Sequence, residues 1–171
     1  MNRAVLVTLA SLVLAGAAPA PEKPPSPGVY RQTHVIEFYR GPAKPSDRTA
    51  VEDVLEVVAI DSSHYYVRSQ MAFDNGHSCG VYGVATQEGD ALIYRPRHAF
   101  GGHCVLGLRR KGGRAVFEDP DGSCRLAYCG ARGMLDGSGF ALSSRRPIRY
   151  MKRLLASRQY ADAIAEWHEN H

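Results

Sequence analysis

Cys79-Gly-Val-Tyr-Gly83, Cys104-Val-Leu-Gly-Leu108 and Cys129-Gly-Ala-Arg-Gly133 open three stretches spaced 25 residues apart. The first runs to a turn at Gln87-Glu-Gly-Asp90 and then Ala91-Leu-Ile-Tyr94. The second runs to Lys111-Gly-Gly-Arg114 and then Ala115-Val-Phe117. The third runs to Asp136-Gly-Ser-Gly139 and then Phe140-Ala-Leu142. Short β-prone runs separated by glycine turns read as hairpins, so the repeat predicts three consecutive hairpins, each led by a cysteine. Three copies are too few for a solenoid.

Working outward, the same grammar covers most of the chain. Val29 to Tyr39 reads as a first strand, with Val35, Ile36, Phe38 and Tyr39 supplying bulk. Gly41 to Asp47 is a proline-containing loop. Val51 to Ile60 alternates imperfectly, because Val54, Leu55, Val57, Val58 and Ile60 are all apolar. Its β-branched content favours a strand over a short helix. His64 to Phe73 is a further strand, Asp74-Asn-Gly76 a hairpin or loop signal, and Asp119-Pro-Asp-Gly122 a turn. Only the last segment changes period. Met151, Leu154, Leu155, Ala161, Ile164 and Ala165 follow helical spacing, Pro147 suits a first helical position, and Ser143 or Ser144 could cap it. A helix over 147–168 is expected, packed on the sheet. The fold class is α+β and mainly antiparallel β: a curved sheet or small barrel of about eight strands with a C-terminal helix.

The N-terminus reads as an export signal. Met1-Asn-Arg3 is positive, Ala4 to Ala17 is apolar or small apart from Thr8 and Ser11, and Ala15-Gly-Ala17 fits a cleavage site. Residues 1–17 are then the signal peptide, leaving no membrane span after cleavage. Residues 18–28 form a proline-rich linker, with five prolines between Pro19 and Pro27, expected to be extended and solvated. Residues 29–171 are one domain, long enough for a real core.

Export and an even cysteine count argue for two disulfides among Cys79, Cys104, Cys124 and Cys129. Three pairings are possible; the expectation is Cys79–Cys104 with Cys124–Cys129. The second pair requires Arg125 to Tyr128 to bend, since residues five apart on a strand are ~16 Å apart, beyond disulfide reach.

Few residues carry chemistry. His77 and His103 each stand just before a cysteine, and a Cys79–Cys104 link would bring them together as candidates for hydrolase-like acid–base work. Two loop histidines at strand starts are the plainer reading. No third metal ligand suggests itself, and no cofactor motif is present. The Asp119–Gly122 stretch lacks the remaining acidic positions of a calcium loop, and Gly137-Ser-Gly139 lacks the spacing of a nucleophile elbow. The net charge is +4. Arg145, Arg146, Arg149, Lys152 and Arg153 open the expected helix and Asp162, Glu166 and Glu169 close it. That order opposes the helix dipole, so Arg145, Arg146 and Arg149 are candidate ligands for an anion. The competing reading has these arginines bonding sheet carbonyls or Glu37, Glu52 and Glu56. Export disfavours nucleic acid, leaving an anionic lipid, a glycan or an envelope protein as partner.

Cys79-Gly-Val-Tyr-Gly-Val-Ala85, Cys104-Val-Leu-Gly-Leu108, Asp121-Gly-Ser-Cys124 and Cys129-Gly-Ala-Arg132 together form a pattern that resembles the small periplasmic disulfide-bonded β-proteins. Lysozyme-inhibitor-like and lipocalin-like barrels are examples. The likeness spans roughly residues 64–142 and concerns architecture; no inhibitory loop or functional residue carries over. An inhibitor of basic lysozymes would also be steered away by its own positive charge. The reading is thus an exported, periplasmic or secreted protein that binds rather than catalyses. A hydrolase using His77 and His103, a lysozyme-inhibitor-like protein, or an assembly role for the helix are the alternatives.

Overall fold

The computed structural model describes residues 23–97 and 103–169. The proposed signal peptide and residues 18–22 of the linker lie outside the described residues. Eight strands form one sheet in sequence order: β1 (Gly28–Phe38), β2 (Asp47–Ala59), β3 (His64–Ala72), β4 (Ser78–Glu88), β5 (Ala91–Tyr94), β6 (Leu106–Lys111), β7 (Arg114–Glu118) and β8 (Gly139–Ala141). Every neighbouring pair is antiparallel. The sheet curls until its ends nearly meet. Val29 of β1 and Arg146, just beyond β8, exchange backbone N–H···O bonds of 2.9 and 2.8 Å. The expected α+β barrel-like architecture is the one formed.

Inward-pointing residues fill the barrel. Tyr30, Leu55, Val57, Val67, Met71, Val81, Leu92, Leu106, Leu108, Phe117 and Phe140 belong to one buried cluster. The cavity left between Val67, Val81, Ala85, Leu92 and Phe117 measures only 10 Å³, room for one water at most. A second cluster lies outside the barrel. Val58, Tyr66 and Val84 point outward and pack against Leu154 and Ala163 of the C-terminal helices. Both faces of β2 are therefore covered over Leu55–Val58. This explains why its sequence runs apolar instead of alternating.

Three expectations change. The expected helix over 147–168 is two helices, α2 (Met151–Leu155) and α3 (Arg158–Glu169). Residues 145–147 are extended because Arg146 is bridged to β1. Ser157 restarts the helix: its hydroxyl accepts the Tyr160 N–H at 3.2 Å and its carbonyl the Ala161 N–H at 3.1 Å, as a serine cap does. The third cysteine-led hairpin does not form: of Cys129–Leu142 only β8 is a strand, Cys129 makes a single bridge to Cys79, and β8 pairs with β7. Just before it, Ser123–Tyr128 is a short helix, α1. It is held by buried Asp119, whose carboxylate accepts the N–H groups of Cys124 (3.0 Å) and Arg125 (2.8 Å).

That helix also corrects the disulfides. The bonds are Cys79–Cys129 and Cys104–Cys124. Positions five apart on a helix point about 140° away from each other, so Cys124 and Cys129 diverge. Cys124 turns into the core towards Cys104, and Cys129 lies against Cys79 with Cα atoms 4.1 Å apart. No cysteine is free, which fits an oxidising compartment. Among the described residues no helix is long and apolar enough to cross a membrane.

The end of the linker is docked rather than solvated. Pro24 and Pro25 are buried. The Ser26 carbonyl accepts the Tyr30 hydroxyl at 2.6 Å, and the Ser26 hydroxyl accepts Arg110 Nη2 at 3.1 Å.

Candidate functional site

On the outer face of β1–β3, beside α2, lies an open cleft of 360 Å³. The sheet register builds its floor. Glu56 on β2 stands directly opposite Arg68 on β3, and Arg31 on β1 opposite Val54. All of these point away from the core, since Leu55 and Val57 between them point inward. The Glu56 side chain is 3% exposed. A buried carboxylate needs partners, and it has two: Arg68 Nη1 donates at 2.9 Å, and the Tyr150 hydroxyl donates to its other oxygen. Arg31 pairs with Glu52 at the rim. Arg153 of α2 stacks over the Tyr150 ring, 5.2 Å from its centre, a favourable cation–π placement. Ser157 and Gln159 complete the wall.

Of the sequence-derived candidates Arg145, Arg146 and Arg149 none lines this cleft, and they differ in role. Arg145 Nε donates to the Pro27 carbonyl at 2.7 Å, and Arg146 Nη1 to the Arg145 and Ser143 carbonyls at 2.7 and 3.0 Å. Both bond carbonyls, but of residues flanking the strands rather than of the sheet, and among the described residues neither bonds Glu37, Glu52 or Glu56. Neither opens a helix, because α2 begins only at Met151 and is one turn long; the argument from the helix dipole therefore does not apply to them. Arg149, Lys152 and Arg153 are exposed and, among the described residues, have no carboxylate partner.

The histidines are not brought together by a crosslink, since the Cys79–Cys104 bond does not form. His77 lies half-buried beside Gly130, while His103 is exposed; the Asp121 carboxyl is held below its usual range first by the Ser123 N–H, which donates to it at 3.1 Å. Among the described residues neither histidine hydrogen-bonds to the other or to a carboxylate. Nor do any three His, Cys, Asp or Glu side chains there form a metal-binding group. The Asp119 carboxylate is committed to α1, so the turn at 119–122 is structural.

Burial raises the phenol pKa of Tyr30, Tyr66, Tyr94, Tyr128 and Tyr150, five of the nine tyrosines. Tyr150 is pushed up to about 12, by desolvation first and then by its bond to Glu56. An unfolded tyrosine titrates near ~10. Below that pH both states hold the proton and stability is unaffected; above it only the unfolded chain releases protons, and stability falls. We expect the melting temperature to drop as pH rises from about 10 to 12, with tyrosinate absorbance appearing together with unfolding. In Tyr150→Phe the drop becomes shallower. A melting temperature unchanged up to pH 12 would contradict the tyrosine burial described here.

Comparison with protein-family models, with curated proteins and with solved structures finds no match.

Proposed function

We propose that this is an exported, non-catalytic binding protein of the cell envelope, acting in the periplasm or outside the cell, which holds an anionic group on the basic face around the Tyr150 cleft. One observation carries the reading. Arg153, in the wall of an open cleft, and its sequence neighbours Arg149 and Lys152 present positive charge with no carboxylate partner among the described residues, whereas the barrel interior is filled. Guanidinium groups recognise carboxylate, phosphate and sulfate through paired N–H donors. Arg153 is already positioned by Tyr150, which lowers the entropic cost of binding. Arg145 and Arg146 add to the local positive potential while serving the seam.

The test is binding of the purified protein to a sulfated glycan and to vesicles with and without anionic lipid. Arg149→Gln combined with Arg153→Gln should weaken binding about a hundredfold or more, given the ~1.5–3 kcal/mol typical of each charged hydrogen bond, with the melting temperature unchanged. Binding should also weaken with salt. Preference for glycan or for lipid identifies the source of the anion. Equal affinity of variant and parent for both probes, or no binding of either by the parent, sinks the proposal.

A further inference from the structure

At the far end of α3 the surface reverses its chemistry. Asp162, Ala165, Glu166 and Glu169 recur at intervals of three and four and so share one side of the helix. Facing them are Tyr82 from β4, Tyr94 at the end of β5 and Tyr128, the last residue of α1. These residues line a cleft of 380 Å³ that holds, among the described residues, no lysine or arginine in its lining.

Its parts are held in place. The Tyr94 and Tyr128 rings lie 6.2 Å apart at 47° with their hydroxyls 3.3 Å from each other. Tyr94 donates to Glu166 Oε2 at 3.0 Å, and the Arg97 N–H donates to Glu166 Oε1 at 2.9 Å. The charges beside the cleft are loosely held. Arg97 Nη1 reaches the Glu169 carbonyl at 3.1 Å but its carboxylate only at 3.4 Å, and Arg158 approaches Asp162 at 3.5 Å. Tyr82 and Tyr128 are half-buried, so part of each remains reachable from solvent.

Aromatic faces carry negative electrostatic potential and attract cations, most strongly when water is partly excluded. Carboxylates add full charge. Three tyrosines and three carboxylates around one concavity recognise a positive, partly apolar group and repel anions. We propose that this cleft binds an alkylammonium group, either free, as in a choline-type headgroup, or at the tip of a lysine side chain. This site is separate from the basic face around Tyr150, and its failure would leave that reading standing.

Calorimetric or NMR titration with choline, with N-acetyl-lysine methylamide, and with 3,3-dimethylbutanol, the neutral analogue of choline, tests it. At least one ammonium compound should bind about tenfold more tightly than the neutral alcohol, within the range of cation–π energies. Choline preferred over the lysine derivative indicates a headgroup; the reverse indicates a basic peptide. Tyr128→Leu should weaken binding about tenfold while Tyr128→Phe retains it. Because Tyr128 lies next to a disulfide, Tyr82→Leu and Asp162→Asn provide independent variants, and each should weaken binding at an unchanged melting temperature. No saturable binding of either ammonium compound, or equal binding of the neutral alcohol, overturns the proposal.

Discussion

Replacing Cys79 and Cys129 together by alanine is expected to cost about 4 kcal/mol, and replacing Cys104 and Cys124 about 3 kcal/mol. The difference follows from the chain each bond closes: the first spans 50 residues and the second 20. In the chain-entropy description, the longer loop restricts the unfolded ensemble more. The shorter loop lies within the longer one, so each bond shortens the loop the other closes, and removing both should cost somewhat more than the sum of the two single losses. For a domain of this size, about 4 kcal/mol lowers the melting temperature by roughly 8–16 °C. The loss also has a local target. Cys129 ends α1 directly after Tyr128, so cutting the Cys79–Cys129 bond releases one wall of the tyrosine cleft as well as the short helix. Denaturant titration of the two paired variants measures the costs. A loss below about 1 kcal/mol for the longer crosslink, or a larger loss for the shorter, contradicts this expectation.

Gly83→Ala is expected to destabilise the fold by about 3 kcal/mol or more, the upper range for overpacking. A β-carbon at Gly83 would sit 2.1 Å from the Tyr94 ring, far inside contact distance. Tyr94 cannot yield cheaply. It is buried in the barrel cluster and tied through its hydroxyl to Glu166 of α3 and to Tyr128 of α1. A glycine on β4 thus gives the Tyr94 ring the space through which the barrel is joined to both helices. Pairing Gly83→Ala with Tyr94→Leu should recover part of the loss, because the smaller side chain vacates the space. A tolerated Gly83→Ala would mean that Tyr94 does not lie against β4.

The strands were legible in the sequence because their β-branched runs and glycine turns act over a few residues. Even the irregular Val51–Ile60 run has a simple origin: the outward Val58 is buried under the helices as Leu55 and Val57 are buried in the barrel. The disulfide pairing was not legible. The sequence offered no sign that Asp119, buried and hydrogen-bonded to the first N–H groups after the turn, makes Ser123–Tyr128 helical, which separates Cys124 within the helix from Cys129 at its end. The break at Ser157 left one trace in the sequence, Arg158 interrupting the apolar helical spacing, but the hydroxyl that caps the second helix carries no periodic signal.

The basic residues were visible as a run in the sequence; their division of labour was not. Arg145 and Arg146 are taken by carbonyls, Pro27 being brought from the opposite end of the chain, and nothing near Arg145 in sequence signals this. Glu56 and Tyr150, which organise the cleft, lie 94 residues apart. Glu56 entered the sequence reading only as one of three carboxylates for the arginines at 145–149, whereas its partners are Arg68 and Tyr150, and Glu37 and Glu52 pair with Arg48 and Arg31. Tyr82, Tyr94 and Tyr128 come from three different elements, and only barrel closure aligns them with one side of α3.

The most direct measurement is a 15N–1H NMR titration of the uniformly labelled protein with a sulfated oligosaccharide. Binding on the basic face moves the resonances of Arg31, Arg149, Lys152, Arg153 and the neighbouring Gln159, and leaves the interior Leu92, Leu108 and Phe117 in place. Shifts concentrated in the interior, or no saturable shift at all, would contradict a binding protein that works from the outside of a filled barrel.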